Sequence, residues 1–538
     1  MNKEKKKVAY FCMEYGLDNK FKLYAGGLGI LAGDILKTAR QYNFPLIGIG
    51  ILWSQGYTRQ LIDKKGKVYD SYPFYNNIYN YLEDTGLKVK VKIREQDVYI
   101  KLWKLDKFDN TPLYLLDTNL EINNESKWIS GQLYGWFEEE RIAQEMVLGI
   151  GGIRAIRELD LDIDLYHFNE GHAVLAATEL IREKMQERIS FENALNEVRK
   201  KIVFTTHTPI KEGNEEHSLN ILNYMGACNG LSLEQMVKIG NAPFNMTVAG
   251  LRLSRKANAV SSLHGHTACK MWENINKKTP IISITNGVHH KSWVDPAIIR
   301  ANNSNETNKL WSAHQNNKRK LLKYVEDKTA QILDIDSLII AFARRAAPYK
   351  RSDLIFKKME IIEPFLINNK LQIIFSGKAH PLDNKGKKII SNIIEIKEKH
   401  PQSVVFLEDY DMEIGSKLTK GADVWLNNPR RPLEACGTSG MKAAMNGVLN
   451  LSILDGWWPE ACQHGINGWQ FGNGYEGKNQ DEYDLKSLYQ ILKNELIPTY
   501  YKKHKKWVKM MQASINTTYK KYSARRMLTE YYARLYKS

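Results

Sequence analysis

The sequence predicts an α/β protein with two doubly wound domains, and two observations support this fold class. Short, nearly continuous apolar runs alternate with helical stretches along the chain, as is typical of parallel strands that are buried on both faces. Polar and charged residues cluster at the downstream ends of these runs, where open α/β sheets place their ligand crevice. The length of 538 residues is ample for two domains, since a domain averages about 150 residues.

The predicted strands form two sets, one in each half of the chain. The first set covers residues 8–13, 45–52, 165–168, 202–206 and 281–285. The second set covers residues 338–343, 371–375, 404–407, 422–426 and 448–454. The polar stretch 301–317 between them predicts a linker or hinge loop. We therefore predict an N-terminal domain at 1–300, a C-terminal domain at 301–500 and a basic helical tail at 501–538.

The positive charge of the chain is concentrated in this tail. Residues 501–538 contain eleven Lys or Arg and one acid, so ten of the 17 net positive charges lie there. Apolar side chains recur in the tail at helical spacing, namely Trp507, Met510, Met511, Ile515, Tyr519 and Tyr522. This pattern predicts an amphipathic helix with solvated lysines. Contact of the tail with nucleic acid or a membrane surface is a weaker alternative, because no nucleic-acid motif appears elsewhere.

Composition excludes several other classes of protein. With 43% apolar and 25% charged residues, the chain is neither disordered nor collagen-like. Its longest uncharged apolar run, residues 44–53, is too short for a membrane helix. Five scattered cysteines without a C-x-x-C pair predict reduced thiols and neither a disulfide framework nor a metal site. We therefore expect a cytoplasmic protein.

A glycine-rich segment at residues 24–34 (Tyr-Ala-Gly-Gly-Leu-Gly-Ile-Leu-Ala-Gly-Asp) leads into a helical pattern. Glycines let the backbone approach a ligand closely, and such a turn before a helix is typical of an anion site. Gly27 lies within this turn. An ordinary tight turn fits the same residues equally well.

A cluster of cations at residues 343–351 (Ala-Arg-Arg-Ala-Ala-Pro-Tyr-Lys-Arg) follows another apolar run. Cations at one strand end repel each other unless an anion is bound. Arg344 and Arg345 offer bidentate donors to a phosphate, and Lys350 and Arg351 add further charge. Because the cluster lies at the predicted crevice, phosphate binding is favoured over a solvated basic loop.

The most informative segment is 427–447, which contains a small-residue loop from Gly437 to Gly440 and a helix predicted from Met441 onward. Backbone N–H groups and the hydroxyls of this loop would bind an anion. Lys442, near the positive end of the helix and several cations, would have a lowered pKa, which favours the neutral amine of a Schiff base. From the residues alone, a solvated lysine is the more common outcome. Glu434 could accept sugar hydroxyls or cap a helix.

Together these segments resemble the α-glucan phosphorylases, the pyridoxal-phosphate-dependent family of glycogen, starch and maltodextrin phosphorylases. The resemblance spans nearly the whole chain and is most specific at residues 349–351 and 434–442. The chain is especially similar to the short bacterial and archaeal members, which share the motifs at 427–432 and 454–458. Three places depart from the better-known members. Arg344 replaces a lysine, residues 346–348 (Ala-Ala-Pro) replace Ile-His-Glu, and Cys436 replaces a serine.

The resemblance implies two Rossmann-like domains that face a cleft, the arrangement called GT-B, with C-terminal helices crossing back to the N-terminal domain. Domain 1–300 would hold the glycine-rich loop and glucan-binding residues, and domain 301–500 the cofactor lysine and phosphate-binding loop. The implied activity is reversible phosphorolysis of terminal α-1,4-glucosidic bonds to α-glucose 1-phosphate with retained configuration. The 5′-phosphate of pyridoxal 5′-phosphate would pass a proton to inorganic phosphate. The implied partners are an α-1,4-glucan or maltodextrin, inorganic phosphate and glucose 1-phosphate, and the implied assembly is a homo-oligomer.

Each matching residue receives a role from the resemblance. Lys442 would carry the cofactor through an imine bond, and the rest of the cofactor site would comprise Arg344, Gly437, Thr438 and Ser439. Substrate phosphate would be bound by the N–H of Gly27, Arg345 and Lys350. The glucosyl ring would be bound by His207, Asn286, Tyr349, Glu434 and Gly437. The catalytic set would be His207, Arg345, Lys350, Glu434 and Lys442.

Two other functions remain as alternatives. A nucleotide-sugar-dependent glucan synthase of the same fold would suit the glycine-rich loop, but such enzymes commonly carry a second glutamate where this chain has Lys442. A lysine cannot accept hydrogen bonds from ribose hydroxyls, as a carboxylate does. A non-catalytic glucan-binding protein is the other alternative, although Glu434, Lys442, Arg345 and Lys350 are all present.

Overall fold

The computed structural model describes residues 5–135, 137–210, 213–304 and 306–537. Two compact units divide the chain. The first unit lies within Met1–Thr58, Tyr72–Thr285 and Met527–Ser538, and the second within Arg59–Ser71 and Asn286–Arg526. Each unit is therefore assembled from segments that are separated in sequence, and the C-terminal end belongs to the first unit.

Fifteen of the described strands lie between the N-terminus and residue 285, and thirteen of them belong to the first unit. In chain order the strands from the N-terminus to residue 285 are β1 (Val8–Phe11), β2 (Tyr15–Asp18), β3 (Phe21–Leu23), β4 (Leu46–Ile51), β5 (Arg59–Ile62), β6 (Val68–Ser71), β7 (Glu83–Ile93), β8 (Gln96–Leu105), β9 (Leu113–Asp117), β10 (Leu165–Asn169), β11 (Ile202–Thr205), β12 (Glu216–His217), β13 (Phe244–Asn245), β14 (Lys256–Ala259) and β15 (Ile281–Ser283). Of these, β5 and β6 form the antiparallel hairpin that belongs to the second unit.

The main sheet of the first unit has nine strands in the order β15-β14-β11-β10-β1-β4-β9-β8-β7. Strands β15 to β9 are parallel, whereas β8 and β7 add an antiparallel edge. Every residue of β1 is buried, so both of its faces are covered, as expected for a central parallel strand. Chain order reverses between β1 and β10, which makes this pair the switch point of a doubly wound sheet.

The second unit has a six-stranded, fully parallel sheet in the order β18-β17-β16-β19-β20-β21. Its strands are β16 (Leu338–Ala343), β17 (Leu371–Ser376), β18 (Val404–Leu407), β19 (Val424–Asn427), β20 (Leu449–Ile453) and β21 (Gly468–Phe471). Counted within the unit, this is the 3-2-1-4-5-6 order of a Rossmann sheet. Alternate side chains of β16 pack into two separate apolar clusters, so helices cover both faces.

Twenty α-helices connect the strands in the described part of the chain. The helices up to residue 285 are α1 (Gly27–Gln41), α2 (Glu138–Met146), α3 (Gly152–Glu158), α4 (Leu175–Gln186), α5 (Phe191–Arg199), α6 (Leu219–Met225), α7 (Leu233–Gly240), α8 (Met246–Leu253) and α9 (Ser262–Met271). The others are α10 (His290–Trp293), α11 (Pro296–Asn303), α12 (Thr307–Thr329), α13 (Met359–Ile367), α14 (Asn384–Lys399), α15 (Met412–Gly421), α16 (Thr438–Met445), α17 (Gln480–Ile491), α18 (Ile497–Lys502), α19 (His504–Thr518) and α20 (Ala524–Glu530).

All ten predicted strands are present, but the stretch 301–317 is not a loop. The end of α11 and the first half of α12 occupy it, and the units divide at Thr285 and Asn286 instead. A loop was predicted because this stretch is rich in polar residues. Most of these polar residues are exposed on α11, on α12 or between the two helices, while Leu310 and His314 are buried. Strands β7 and β8 were missed because they alternate polar and apolar residues, which is the pattern of a strand buried on one face.

The basic tail forms α19 and α20. Trp507, Met510, Met511 and Ile515 are buried on α19, and Tyr522 is buried just after it. The predicted amphipathic helix is thus present, packed through its apolar stripe. No helix in the described ranges has the length and apolar character needed to cross a membrane.

Candidate active site

The candidate site of the second unit lies at the switch point of its sheet. Strand β16 pairs with β17 on one side and with β19 on the other. Arg344 follows β16 directly, and residues 428–437 follow β19 and lead into α16. Ligands of doubly wound sheets bind at this point, outside the carboxyl ends of the strands. The fold therefore brings the predicted phosphate-binding segment and the segment of the predicted cofactor lysine to one sheet edge.

Glu434 lies between two cations at this edge. Its Oε1 accepts a hydrogen bond from Nη2 of Arg344 at 2.6 Å, and its Oε2 contacts the ammonium of Lys350. All three side chains are only 8% exposed. Burial acts to raise the pKa of Glu434, but Arg344 and Lys350 outweigh it and lower this pKa to about 2. The three predicted ligands therefore form one buried, hydrogen-bonded charge cluster.

The turn at residues 454–458 fastens the loop that carries Glu434. The carboxylate of Asp455 accepts hydrogen bonds from the backbone N–H of Glu434 at 2.9 Å and of Gly456 at 2.8 Å. The N–H of Trp457 donates to the carbonyl of Cys436. Gly456 has a φ of +58°, and a Cβ there would lie 2.2 Å from that carbonyl. The Leu-Asp-Gly-Trp-Trp motif thus holds the site in place, a role that sequence reasoning did not assign.

The helix α16 begins at Thr438, three residues earlier than predicted. Gly437 precedes it with a left-handed backbone conformation (φ 82°), and Arg344 and Glu434 lie next to it. Thr438 and Ser439 belong to the first turn, where backbone N–H groups have no intrahelical acceptor and favour an anion. Lys442 is consequently more than a turn inside the helix, so the helix dipole contributes little to its charge state.

Lys442 is buried rather than solvated. It is 6% exposed, and its ammonium lies 3.3 Å from the centroid of the Trp293 ring. The structure thus rules out the solvated lysine that the residues alone favoured. Trp293, at the end of α10, has no sequence motif that would have identified it as part of this site.

The other cations of the 343–351 segment differ in their surroundings. Arg345 is exposed, and Lys350 lies over the ring of Tyr349 at 4.7 Å. Arg351 is buried, and it pairs with Asp481 and Asp484 and donates to backbone carbonyls of residues 428 and 429. Arg351 therefore anchors the loop.

The backbone of Asn286 contacts other residues of the second unit. Its N–H contacts the buried thiol of Cys436, and its carbonyl accepts a hydrogen bond from Arg526 at 3.0 Å. The side-chain Oδ1 is buried and has no hydrogen-bond partner among the described residues. Such an atom is costly unless a ligand or water pairs with it, which agrees with a ligand contact at Asn286.

His207 of the first unit is held in a defined orientation after β11. Its Nε2 lies 2.7 Å from Oδ1 of Asn169, so Nε2 carries the proton and Nδ1 remains an acceptor. Burial lowers the pKa of His207 to about 3, so the imidazole is neutral near pH 7. The buried carboxylate of Glu170 accepts hydrogen bonds from the N–H of His207 and the hydroxyl of Thr208. The loop after β11 is thereby tied to the end of β10.

The glycines of the 24–34 segment fall into two groups. A Cβ at Gly29 would lie 2.7 Å from Glu14, and one at Gly33 would lie 2.0 Å from the carbonyl of Gly16, so packing requires both. A Cβ at Gly26 or Gly27 would meet no atom within 4 Å across the described ranges. Neither of these two has a positive φ. The protein itself gives no reason for glycine there, which favours close approach of a ligand over an ordinary tight turn.

A second polar cluster in the first unit was not predicted from the sequence. Arg141 forms a bidentate ion pair with Glu215, both bonds at 2.8 Å, and Nε2 of His217 lies 3.1 Å from Glu145. One atom each of Glu145, Glu215 and His217 could ligate a metal, since these atoms lie within 4.8 Å of one another. The charges balance without an ion, because Arg141 neutralises Glu215 and a protonated His217 neutralises Glu145.

This cluster makes the stability of the first unit fall as pH rises. Burial acts to lower the pKa of His217, but the hydrogen bond to Glu145 and its charge outweigh burial and raise this pKa to about 8. The folded state holds the His217 proton more tightly than the unfolded state does, so this stabilisation is complete below pH ~6.5 and is lost as pH rises through ~8. We expect the free energy of unfolding to fall by about 2 kcal/mol over this range, measured by denaturant titration.

Glu145→Gln is the test of that expectation. The amide removes the negative charge that raises the pKa of His217, so the pH dependence above 6.5 should flatten. Replacement of an exposed histidine of the same unit, His266→Gln, is the matched control and should leave the wild-type slope. An equally steep slope in Glu145→Gln would show that other groups cause the pH dependence.

Comparison with known proteins places these sites in a family. The family described as "Carbohydrate phosphorylase" matches residues 297–483, the range that carries Arg344, Lys350, Glu434 and Lys442. The chain is 38% identical to a maltodextrin phosphorylase of Thermococcus litoralis, over 98% of this chain and 70% of that protein. It is 36% identical to a glycogen phosphorylase of Aquifex aeolicus, over 99% of this chain and 86% of that protein.

A third relative, an uncharacterised protein of Methanocaldococcus jannaschii, is 36% identical over 99% of this chain and 100% of its own length. The similarity thus covers both units and includes one protein of about the same length. The chain belongs to the carbohydrate phosphorylases, as a member of the α-glucan phosphorylase family.

Proposed function

We propose that this protein catalyses the reversible phosphorolysis of terminal α-1,4-glucosidic bonds in maltodextrins or related glucans. The products are α-glucose 1-phosphate, formed with retained configuration, and the shortened glucan. The observation that carries the proposal is a buried lysine, Lys442, on the helix that begins beside the Arg344–Glu434–Lys350 cluster. The named maltodextrin and glycogen phosphorylases among the relatives support the same reaction.

The residues of the second unit fit pyridoxal 5′-phosphate. Lys442 is buried against an aromatic ring, where an amine can condense with an aldehyde out of contact with bulk water. Arg344 and the first turn of α16, with Thr438 and Ser439, offer donors for a phosphate. When bound, this cofactor supplies an acidic phosphate group near the substrate phosphate. Gly437, with its left-handed conformation, would let the backbone of this turn approach the phosphate.

Phosphate binding requires the ion pairs of Glu434 to rearrange. In the structure Lys350 and Arg344 share the carboxylate of Glu434. This carboxylate offsets the repulsion between the two cations, which therefore lie close together before phosphate binds. An incoming phosphate would draw Lys350 toward itself, and Arg345 and the N–H of Gly27 would add further donors. The carboxylate of Glu434 then becomes available to accept hydrogen bonds from sugar hydroxyls.

The sugar would be oriented by neutral groups as well as by Glu434. The unpaired Oδ1 of Asn286 would accept a hydrogen bond from one sugar hydroxyl, and Nδ1 of the neutral His207 would accept one from another. Tyr349 and Gly437 complete the proposed contacts. A hydrolase would instead need two carboxylates flanking the scissile bond, and phosphate takes that part here by protonating the departing oxygen and then attacking on the same face.

The test is an assay of the purified holoenzyme with maltoheptaose and inorganic phosphate. We expect glucose 1-phosphate to form only when phosphate is present, and the reverse reaction to extend the maltodextrin. Consumption of ADP-glucose or UDP-glucose without any response to phosphate would establish a glucan synthase instead. Glucan binding without turnover in either assay would establish a binding protein.

The proposed function also concerns the location, the assembly and the domain arrangement of the enzyme. We propose that the enzyme acts in the cytoplasm as a homo-oligomer and that its two α/β domains face a cleft, as in other GT-B proteins. The first unit would supply the glycine-rich loop and glucan contacts, and the second unit would supply the cofactor site. Sedimentation of the holoenzyme measures the oligomeric state, and a mass equal to one chain would contradict it.

A further inference from the structure

Glu14 is a buried carboxylate to which the proposed function assigns no role. It follows β1 at the switch point of the first sheet and is 2% exposed. Its Oε2 accepts hydrogen bonds from the backbone N–H of Ala25 at 2.6 Å and of Gly26 at 3.0 Å. A single side-chain oxygen therefore binds the two residues that lead into α1.

The first turn of α1 has no side-chain cap. The residue before the helix, Gly26, has no side chain that could accept a hydrogen bond from the first turn. The first N–H groups of a helix lack intrahelical acceptors. Because Glu14 takes the N–H groups of Ala25 and Gly26, the next donors along the chain are those of Gly27 and Leu28, which begin α1. The direction of these donors is thus set by where Glu14 holds the preceding backbone.

The carboxylate is itself fixed from its other side. The hydroxyl of Tyr134 donates to Oε1 of Glu14 at 2.7 Å, and the guanidinium of Arg141 lies 4.8 Å from the centroid of the Tyr134 ring. Tyr134 adopts a φ of 65°, a left-handed conformation that is uncommon for a residue with a side chain. Surrounding contacts must hold such a residue in place, so the position of the hydroxyl is well defined.

Gly29 shows that the loop is built around this carboxylate. A Cβ at position 29 would lie 2.7 Å from Oε2 of Glu14, so the glycine leaves the space that the carboxylate occupies. Gly26 and Gly27, in contrast, have no such neighbour among the described residues. The segment therefore has one side packed against Glu14 and another side open for a ligand.

We propose that Glu14 is a positioning residue that orients the N–H groups at the start of α1 toward the inorganic phosphate. This inference rests on the proposed function, because that function supplies the phosphate. Glu14 does not touch the phosphate, and its role depends on its acceptor oxygens more than on its charge. A glutamine should therefore retain it, since one amide oxygen can accept from the loop while the amide nitrogen donates to the Tyr134 oxygen.

The test compares Glu14→Ala, Glu14→Gln and Tyr134→Phe holoenzymes with wild type. We expect Glu14→Ala to raise KM for inorganic phosphate roughly 10- to 100-fold, the value of hydrogen bonds to a charged group, with a smaller change in kcat. Glu14→Gln should stay within about threefold of wild type, and Tyr134→Phe should lie between them. Cofactor content should be equal in all three. Glu187→Ala, an exposed carboxylate of the same unit, is the control and should match wild type.

A second readout does not depend on catalysis. Amide hydrogen exchange of residues 25–29 should be faster in Glu14→Ala than in wild type and unchanged in Glu14→Gln. Inactive wild-type protein would overturn the proposed function while leaving this exchange result interpretable. An active Glu14→Ala with the wild-type KM for phosphate, or a Glu14→Gln as impaired as the alanine variant, would overturn the positioning role. Should Glu14→Ala not fold, a wild-type KM in Tyr134→Phe would overturn it equally.

Discussion

Replacing Lys442 with alanine should abolish phosphorolysis, with a loss of roughly 10⁴-fold or more, as when one member of an interdependent catalytic group is removed. The reason is that Lys442 is the proposed attachment point of the cofactor and lies buried against Trp293. Without the amine the cofactor is held only by non-covalent contacts. Activity with maltoheptaose and bound cofactor per chain are the two measurements, and both should fall together.

Lys442→Arg separates a covalent role from an electrostatic one. Arginine retains the positive charge but does not condense with an aldehyde at neutral pH, so this variant should be as inactive as the alanine variant. Lys420→Ala removes another partly buried lysine of the same unit and is the matched control, with activity near wild type. Substantial activity in Lys442→Arg would contradict covalent attachment at this position.

Replacing Glu434 with glutamine should have the second-largest effect, because it leaves Arg344 and Lys350 buried without a counter-charge. Removing one partner from a buried ion pair costs about 3–5 kcal/mol, so the second unit should lose a comparable amount of stability. Activity should also fall, because the amide is a poorer acceptor for sugar hydroxyls. Thermal unfolding and initial rates measure the two effects.

Phosphate and pH provide controls for the Glu434 prediction. Inorganic phosphate should stabilise Glu434→Gln more than wild type, because it replaces the missing negative charge. Since Arg344 and Lys350 lower the pKa of Glu434 to about 2 against the effect of burial, the wild-type stabilisation is complete above pH ~4.5 and is lost as pH falls toward 2. The variant should lack this acid dependence. Glu476→Gln, which removes a half-exposed ion pair with Arg431, should change stability by less than about 1 kcal/mol.

The sequence predicted the central strands of both sheets because they are continuous apolar runs. It did not predict β7 and β8, where only one face is buried, or β14, whose Lys-Ala-Asn-Ala sequence has little strand propensity. It also placed a hinge at 301–317, because a polar helix surface and a polar loop have similar composition. These errors share one cause, since the burial of a segment depends on what packs against it.

The site residues also divide into those with a local sequence signal and those that depend on distant contacts. Motifs gave Arg344, Lys350, Glu434 and Lys442, and the fold brings the first three into contact. Whether Lys442 is buried depends on Trp293, which lies about 150 residues away in sequence and carries no motif. The part of Glu14 in shaping the glycine-rich segment depends likewise on Tyr134. Contacts between distant residues leave no local signal in a single sequence.

The most direct test of the account is borohydride reduction of the holoenzyme followed by peptide mass mapping. Reduction fixes an aldehyde-derived cofactor on the amine that holds it. We predict a single pyridoxyl group on the peptide that contains Lys442, in protein that also forms glucose 1-phosphate from maltodextrin and phosphate. A pyridoxyl group on a different lysine, or none on fully active protein, would contradict the central claim that Lys442 carries the cofactor.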